Sequence, residues 1–452
     1  MKRRNFLNAT AASVAASMLA GCGGGGSGSA PTEPQGSGSD AGHDSPGSPG
    51  SPGSPVTVPN GPVKSRVIVV GGGMGGATVA KYLRLWGDGI EVTLVERASS
   101  YTSNIMSSLV LTGQRTMASQ DFRYDTLISK YGVKVVLGDV VQIDPVGVKV
   151  ALSTGTVLAA DRIVLSPGID FDDVPGMAGS NKMPHAWSAG PQTALLASQL
   201  ASLPSNGTVI LTIPQVPYRC PPGPYERACL LADWLKTRHP GGKLVVLDAN
   251  PDFVTEKDNF SSAFFGLHAG VIEYVNNASV TQVDPASMQV STTQGVFRGD
   301  VVNLIPRQRA GKLIVGSGLA NATEGRFAGV NVLSYASTVA GADKVHVIGD
   351  SSATTQPKAG HIANQEAKVC ADAISRLLSG LAPDPAPVTN SACYSTITMS
   401  QASWLTAAFQ YDAATQAMKV VPASSAASVG WNQRNFGEMS TWFKALMADS
   451  FA

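Results

Sequence analysis

The sequence predicts an α/β fold, and two stretches predict it. The first runs from residue 66 to 96. Arg66-Val67-Ile68-Val69-Val70 is β-branched without alternation, the pattern of a central parallel strand buried on both faces. Gly71, Gly73 and Gly76 then fill G-x-G-x-x-G, and Ala77–Leu83 reads as a helix. A second strand, Glu91–Val95, ends at Glu96, twenty residues after Gly76. Glycine turns are common, but strand, turn, helix, strand and acid in series specify a Rossmann-like dinucleotide site. The glycines let backbone approach a pyrophosphate, the helix N-terminus favours its charge, and Glu96 would bond the adenosine ribose.

The second stretch repeats the framework without the turn. Thr208–Ile213 and Lys243–Asp248 read as strands. Between them lies Pro217-Tyr218-Arg219-Cys220-Pro221-Pro222-Gly223-Pro224-Tyr225-Glu226-Arg227-Ala228. Proline has no N–H to offer a phosphate and restricts the residue before it. The expectation is a dinucleotide fold without a phosphate cradle, which argues against reduction by NAD(P)H and draws attention to Cys220.

Bulk properties bound the rest. At 452 residues the chain exceeds one compact core. Lys plus Arg is 33 and Asp plus Glu is 32, so a net charge of +1 gives no attraction to nucleic acid, and no nucleic-acid motif occurs. The six His make no zinc-like pair with Cys, so no metal site is expected, and no C-x-x-C-H occurs to attach a c-type haem.

The first residues, MKRRNFLNATAASVAASMLAGC, join a basic start to an apolar stretch too short and weak to span a membrane. Arg3-Arg4-Asn5-Phe6-Leu7 resembles a twin-arginine export signal, and Leu19-Ala20-Gly21-Cys22 resembles a bacterial lipobox. The expectation is export to the bacterial periplasm with Cys22 lipidated and the protein tethered to a membrane. An ordinary cleaved signal, with Cys22 incidental, is the other reading. Residues 23–63 are rich in Gly, Ser and Pro with little to bury, the composition of a disordered tether.

Two later marks bear on the nucleotide. Arg162–Gly168 resembles the small-residue turn that closes the first pass in two-dinucleotide-fold flavoproteins. Lys344-Val345-His346-Val347-Ile348-Gly349-Asp350 resembles their second FAD motif, in which the Asp bonds the ribityl chain. Asp350 could also be a helix N-cap for the segment after it, and both roles could hold. Together with the glycine turn they select FAD over NAD.

The Cys220 stretch closely resembles the flavoprotein subunit of flavocytochrome c sulfide dehydrogenase, a family related to sulfide:quinone reductases. The likeness runs through nearly all of residues 65–452, including Pro184–Trp187, Asn303–Lys312 and Cys393-Tyr394-Ser395. It implies two Rossmann-like dinucleotide-binding-type domains and a C-terminal α+β domain. The FAD domain would take 64–180 and 303–383, a second nucleotide-fold domain 181–302, and the C-terminal domain 384–452. It also implies sulfide oxidation at a redox disulfide beside the flavin, with a c-type cytochrome taking the electrons. Cys220 matches the first of those cysteines, where a thiolate could attack sulfur or donate to the flavin. Glu226 matches a nearby carboxylate that could move protons, or is a solvated charge at a helix start. Trp442 would lie near the flavin, or belong to a helical core face with Phe443, Leu446 and Met447.

The chain departs from the family twice. The second redox cysteine should fall just after Gly349-Asp350, where Ser352 stands. Cys370, 18 residues later, reads as buried packing on the next helix, and neither Cys229 nor Cys393 is identified as the missing partner. The segment where relatives attach FAD through a cysteine is Ser100–Met106, with Ser103 or Asn104 at that position, so FAD is expected to be non-covalent. The leading reading is an exported FAD oxidoreductase acting on sulfide or a related sulfur compound. The alternatives are another substrate or acceptor, or a flavin electron-transfer partner without substrate chemistry of its own.

Overall fold

The computed structural model describes residues 61–452; the expected export signal, Cys22 and nearly all of the tether lie outside the described residues. The first sheet has eight strands, with β1 (Ser65–Val70) inside it. β1 pairs in parallel with β2 (Ile90–Glu96) on one side and β3 (Arg162–Leu165) on the other. The chain leaves this sheet and returns late: Val345–Val347 pairs in parallel with β3, Val345 opposite Ile163. Val67, Val69, Val92, Leu94, Ile163 and Val164 are all at most 1% exposed. Each such side chain contributes about 1.5–3 kcal/mol of burial. That is why these runs do not alternate. The helix α1 (Met74–Trp86) starts directly after the glycine turn.

A second sheet holds four parallel strands in the order Ile272–Val275, Lys243–Asp248, Thr208–Ile213, Val301–Asn303. We label Thr208–Ile213 β4 and Lys243–Asp248 β5. Between them runs α2 (Gly223–Arg238), whose first turn carries Pro222 and Pro224 where a helix tolerates missing N–H groups. Cys229, on α2, is fully buried in the core of this layer with Leu231, Leu211 and Tyr225. Cys370 is fully buried on α3 (Gly360–Leu378), which packs against α1.

The C-terminal part is an antiparallel sheet led by β6 (Val388–Thr396), paired with Ala402–Asp412, followed by the helix α4 (Gln433–Phe451). α4 is clamped to the first nucleotide fold. Phe451 stacks on Tyr101 at 5.4 Å, and the Asp449 carboxylate pairs with the buried Lys368 ammonium at 2.8 Å. Burial works against the Asp449 carboxylate, but Lys368, Tyr82 and Asn364 outweigh it and hold its pKa below the ordinary range. This clamp fixes the side of α4 that carries Trp442. Among the described residues no helix is long and apolar enough to cross a membrane.

Candidate functional site

The glycine turn is built for close backbone approach. Gly71 has φ +96°, and a Cβ there would lie 2.4 Å from the Ser166 carbonyl oxygen. A Cβ on Gly76 would lie 1.7 Å from the Gly71 oxygen, so α1 and the turn are in contact at that point. At Gly73 a Cβ would meet only the Tyr101 ring, at 3.5 Å, because this residue faces a cavity. Among the described residues no side chain caps the start of α1. Its free amides and positive dipole end open onto that cavity. At the tip of β2, Glu96 accepts hydrogen bonds from the Gly72 amide at 2.6 Å and the Arg97 amide at 2.7 Å, which hold its carboxylate at the cavity wall.

The cavity has a volume of about 1000 Å³. It runs from this turn past Asp350 to Cys220, Glu226, Cys393 and Trp442. Asp350 lies within the short 3₁₀ turn Gly349–Ser351, and α3 starts only at Gly360, so the capping role is not the one it plays. Its Oδ1 is buried with no hydrogen-bond partner among the described residues. The indole Nε1 of Trp442 and of Trp187 are unpartnered in the same way. Burial raises the Asp350 pKa, against Arg219 and Lys358, which lower it. Buried polar atoms without partners are rare in folded proteins, and three of them here belong to residues lining one cavity.

The thiol end is formed by the proline-rich turn. Cys220 has φ +58°, an uncommon backbone state for a non-glycine residue. Two backbone bonds hold it there. Its N–H donates to the Lys358 oxygen at 2.7 Å, and its oxygen accepts from the Gly223 N–H at 2.8 Å. The Sγ then rests against the start of α2: a Cβ on Gly223 would lie 2.8 Å from it and 2.8 Å from the Trp187 ring. Gly223 is therefore needed to seat the sulfur.

The expected thiolate is not the favoured state of Cys220. Burial pushes its pKa well above the ordinary thiol range, and Cys393 and Glu226 push the same way; Arg219 and the Gly223 amide only partly oppose them. Glu226 lies in the first turn of α2 and accepts from the Thr396 hydroxyl at 3.0 Å. It is not a solvated helix charge: burial raises its pKa to about 7, with Thr396 holding it back. Burial, then Glu256, pushes the Cys393 thiol up to about 12. Ser352 is 2% exposed, and its hydroxyl donates to the Gly349 oxygen at 2.8 Å, within its own loop. Lys358 donates to the Ser352 oxygen at 2.7 Å, so Cys220 and Ser352 share one supporting residue.

Ser103 is fully buried, and its hydroxyl donates to the Ile105 oxygen at 3.3 Å. Asn104 accepts from the Ala189 amide at 2.7 Å and lines the cavity. Phe443, Leu446 and Met447 are buried, while Trp442 is half-buried on the cavity wall, 5.7 Å from the Tyr394 ring. Sequence reasoning did not single out Lys358, Arg219 or Arg227. Arg227 is 2% exposed, stacks over Trp187 at 4.7 Å and donates to the Asn303 Oδ1 at 2.9 Å. Two arginines flanking the Cys220 turn in an otherwise apolar stretch were the available signal. In the second fold the acid at the tip of β5, Asp248, is fully buried and accepts from the hydroxyls of Tyr225 at 2.7 Å and Tyr274 at 2.8 Å.

Comparison with known proteins agrees with this geometry. Residues 193–306 match the family described as sulfide dehydrogenase [flavocytochrome c] flavoprotein chain, central. Residues 385–451 match flavocytochrome c sulphide dehydrogenase, flavin-binding, and residues 65–200 match pyridine nucleotide-disulphide oxidoreductase. A sulfide dehydrogenase [flavocytochrome c] flavoprotein chain sequence from Chlorobaculum thiosulfatiphilum is 51% identical over 45 residues, 10% of this chain and 94% of that sequence. Apoptosis-inducing factor homolog A of Dictyostelium discoideum is 35% identical over 105 residues, 23% of this chain and 24% of that protein. The structure of sulfide:quinone oxidoreductase from Aquifex aeolicus superposes with a TM-score of 0.71 at 15% identity, covering 85% of this chain and 91% of that one. The fold is thus that of two-dinucleotide-fold flavoproteins, and the cofactor is FAD. The residues present fit it: the open glycine turn, Glu96 at the wall and the unpartnered Asp350 oxygen lie along one cavity. The chain is a flavoprotein oxidoreductase and belongs to the family of the flavoprotein chain of flavocytochrome c sulfide dehydrogenase.

Proposed function

We propose that this chain oxidises sulfide or a closely related sulfur compound and passes the electrons through FAD to a c-type cytochrome. The observation that carries the reading is the single cavity joining the dinucleotide turn and Asp350 to Cys220 and Glu226. When bound, FAD supplies a two-electron acceptor that can release electrons singly. The chain's own residues do the rest. The amides of α1 hold the pyrophosphate, Glu96 the adenosine ribose and Asp350 the ribityl chain. The Trp187 and Arg227 pair closes the wall behind Cys220. Glu226, with a pKa of about 7, gives or takes the proton that a sulfur substrate exchanges at neutral pH.

Cys220, Glu226 and Trp442 are the residues we assign to the substrate end, and Gly71, Gly73, Gly76, Glu96 and Asp350 to the cofactor. FAD is held non-covalently, since the Ser100–Met106 segment offers no cysteine; acid precipitation should release all flavin to the supernatant. Twin-arginine export and lipidation at Cys22 would tether the protein to a periplasmic membrane, where a soluble or subunit cytochrome c is in reach. Labelling with a radioactive fatty acid, lost in Cys22→Ala, tests that anchor. The reading as a whole is tested by adding sulfide anaerobically to the purified protein. Flavin absorbance should bleach and return when oxidised cytochrome c is added; no bleaching contradicts the substrate. A second reading, an oxidoreductase for another substrate, is favoured by the serine at position 352 and predicts that sulfide leaves the flavin oxidised.

A further inference from the structure

One buried carboxyl holds the loop that carries Asp350. Glu366 lies on α3, is 1% exposed and stands behind the chamber wall rather than in it. Its polar contacts go to a single segment. Oε2 accepts from the Gly349 amide at 2.6 Å and lies 3.4 Å from the Ser352 hydroxyl. Oε1 lies 3.4 Å from the Thr354 hydroxyl. Gly349 has φ +72° and lines the chamber beside Asp350. The bond to its amide fixes the peptide plane from which the Gly349-Asp350 turn starts. The loop then runs on to the thiol. The Ser352 hydroxyl donates to the Gly349 oxygen at 2.8 Å, and the Lys358 ammonium donates to the Ser352 oxygen at 2.7 Å. The Lys358 oxygen in turn accepts from the Cys220 amide at 2.7 Å. Lys358 is held from its other side by the Phe327 ring, 3.9 Å from the ammonium. Where the family likeness led us to expect a cysteine, a serine hydroxyl makes one of these links, and a thiol is a much weaker donor.

We propose that Glu366 is a positioning residue for both ends of the chamber: it sets the Gly349-Asp350 turn for FAD and, through Ser352 and Lys358, the backbone seat of Cys220. It acts through the loop and not by contact with the reacting atoms. Its protonation state suits the role. Burial raises Glu366 to about 8 and Asp350 pushes the same way, against the Gly349 amide, Lys358 and Thr354. At neutral pH it is therefore a neutral acid, which accepts from the Gly349 amide on one oxygen and can donate to a hydroxyl from the other. The titratable groups that act on it are Lys358 and Asp350 from the loop, Cys370 further along α3, and the fully buried Tyr335. The assignment rests on FAD as the cofactor and not on sulfide as the substrate.

The test reads binding and thiol accessibility rather than activity. Apoprotein of wild type, Glu366→Gln and Glu366→Leu is titrated with FAD. Alkylation of Cys220 by iodoacetamide is then timed in the FAD-saturated proteins by peptide mass spectrometry. Glutamine keeps an acceptor for Gly349 and a donor for Thr354, as the neutral acid does; leucine keeps only bulk. At about pH 6.5, Glu366→Gln should match wild type in both readouts. Glu366→Leu should bind FAD about tenfold more weakly and be alkylated at Cys220 about fivefold faster. A third readout is pH. FAD expels water from the chamber and so disfavours the charged form of Glu366 further. The affinity of wild type relative to Glu366→Gln should therefore fall as pH rises through about 8. FAD affinity in Glu366→Leu equal to wild type overturns the role at the cofactor end, and an unchanged Cys220 rate overturns the link to the thiol. Glu366→Gln as weak as Glu366→Leu, or a ratio constant across pH, overturns the neutral acid. If Glu366→Leu does not fold, Ser352→Ala removes one hydroxyl from the same chain of bonds. It should speed Cys220 alkylation about threefold, and an unchanged rate overturns the link. Sulfide enters none of these measurements, so failure of the sulfide reading leaves their outcomes unchanged.

Discussion

The two nucleotide folds of this chain share a plan and differ at one end. Each has a parallel strand, a turn, a helix and a second strand ending in an acid: Glu96 in the first, Asp248 in the second. In the first, three glycines bring backbone to the cavity and Glu96 is held at its wall by amides of the turn. In the second, prolines replace the glycines and the acid is sealed under two tyrosine hydroxyls. The helix start, a natural anion site, is kept in both. Where the glycines are lost, it faces a cysteine sulfur instead of open cavity. One framework thus places a phosphate cradle and a thiol on the two ends of one chamber.

That contrast can be broken at four positions. The largest effect is expected from Gly76→Ala, because its Cβ would sit 1.7 Å from the Gly71 oxygen. We expect a cost of about 3 kcal/mol or more and loss of bound flavin, read as missing visible absorbance after purification. Asp248→Asn should cost about 2 kcal/mol in denaturant unfolding, since Tyr225 and Tyr274 lose a charged acceptor. It should leave flavin content unchanged. Glu96→Gln should do the reverse, weakening FAD binding by about tenfold, or about 1.4 kcal/mol, with little change in unfolding. Flavin titration of the apoprotein measures it. The smallest effect is a change of pH profile. Burial raises Glu226 to about 7, so the ratio of wild-type to Glu226→Gln flavin-reduction rates, in which the ionisation of sulfide itself cancels, should change between about pH 6 and about pH 8. The sign for stability follows the same shift. A carboxyl favoured in its protonated form stabilises the fold below its unfolded pKa, and that contribution is lost as pH rises through about 7.

Much of the cofactor end was legible in the sequence because its signals are local. Arg66 to Glu96 specify strand, turn, helix and acid within one continuous stretch, and all four occur in that order, although the helix read as Ala77–Leu83 runs over Met74–Trp86. Asp350 was legible as a Gly-Asp at a strand end, but its unpartnered oxygen is a tertiary fact that decides between cofactor contact and helix cap. The thiol end was legible only in part. Cys220 stood out by its prolines, yet its protonation state depends on burial first and then on Cys393, from a distant segment, and Glu226, one turn into the next helix. Cys393 was visible in the sequence, but that it lines the same cavity as Cys220 is a tertiary fact, which periodicity cannot supply. The tyrosine seal over Asp248 was hidden for the same reason, since Tyr274 arrives from the neighbouring strand.

We propose that the two ends of the chamber work together, the glycine turn anchoring FAD so that its flavin lies within reach of Cys220. Stopped-flow flavin reduction by sulfide in wild type and Cys220→Ala tests this most directly, with flavin content matched beforehand. We expect fast bleaching in wild type and a loss of about a hundredfold or more in rate in the variant, equivalent to about 2.7 kcal/mol of barrier. Equal bleaching rates in the two proteins would contradict it.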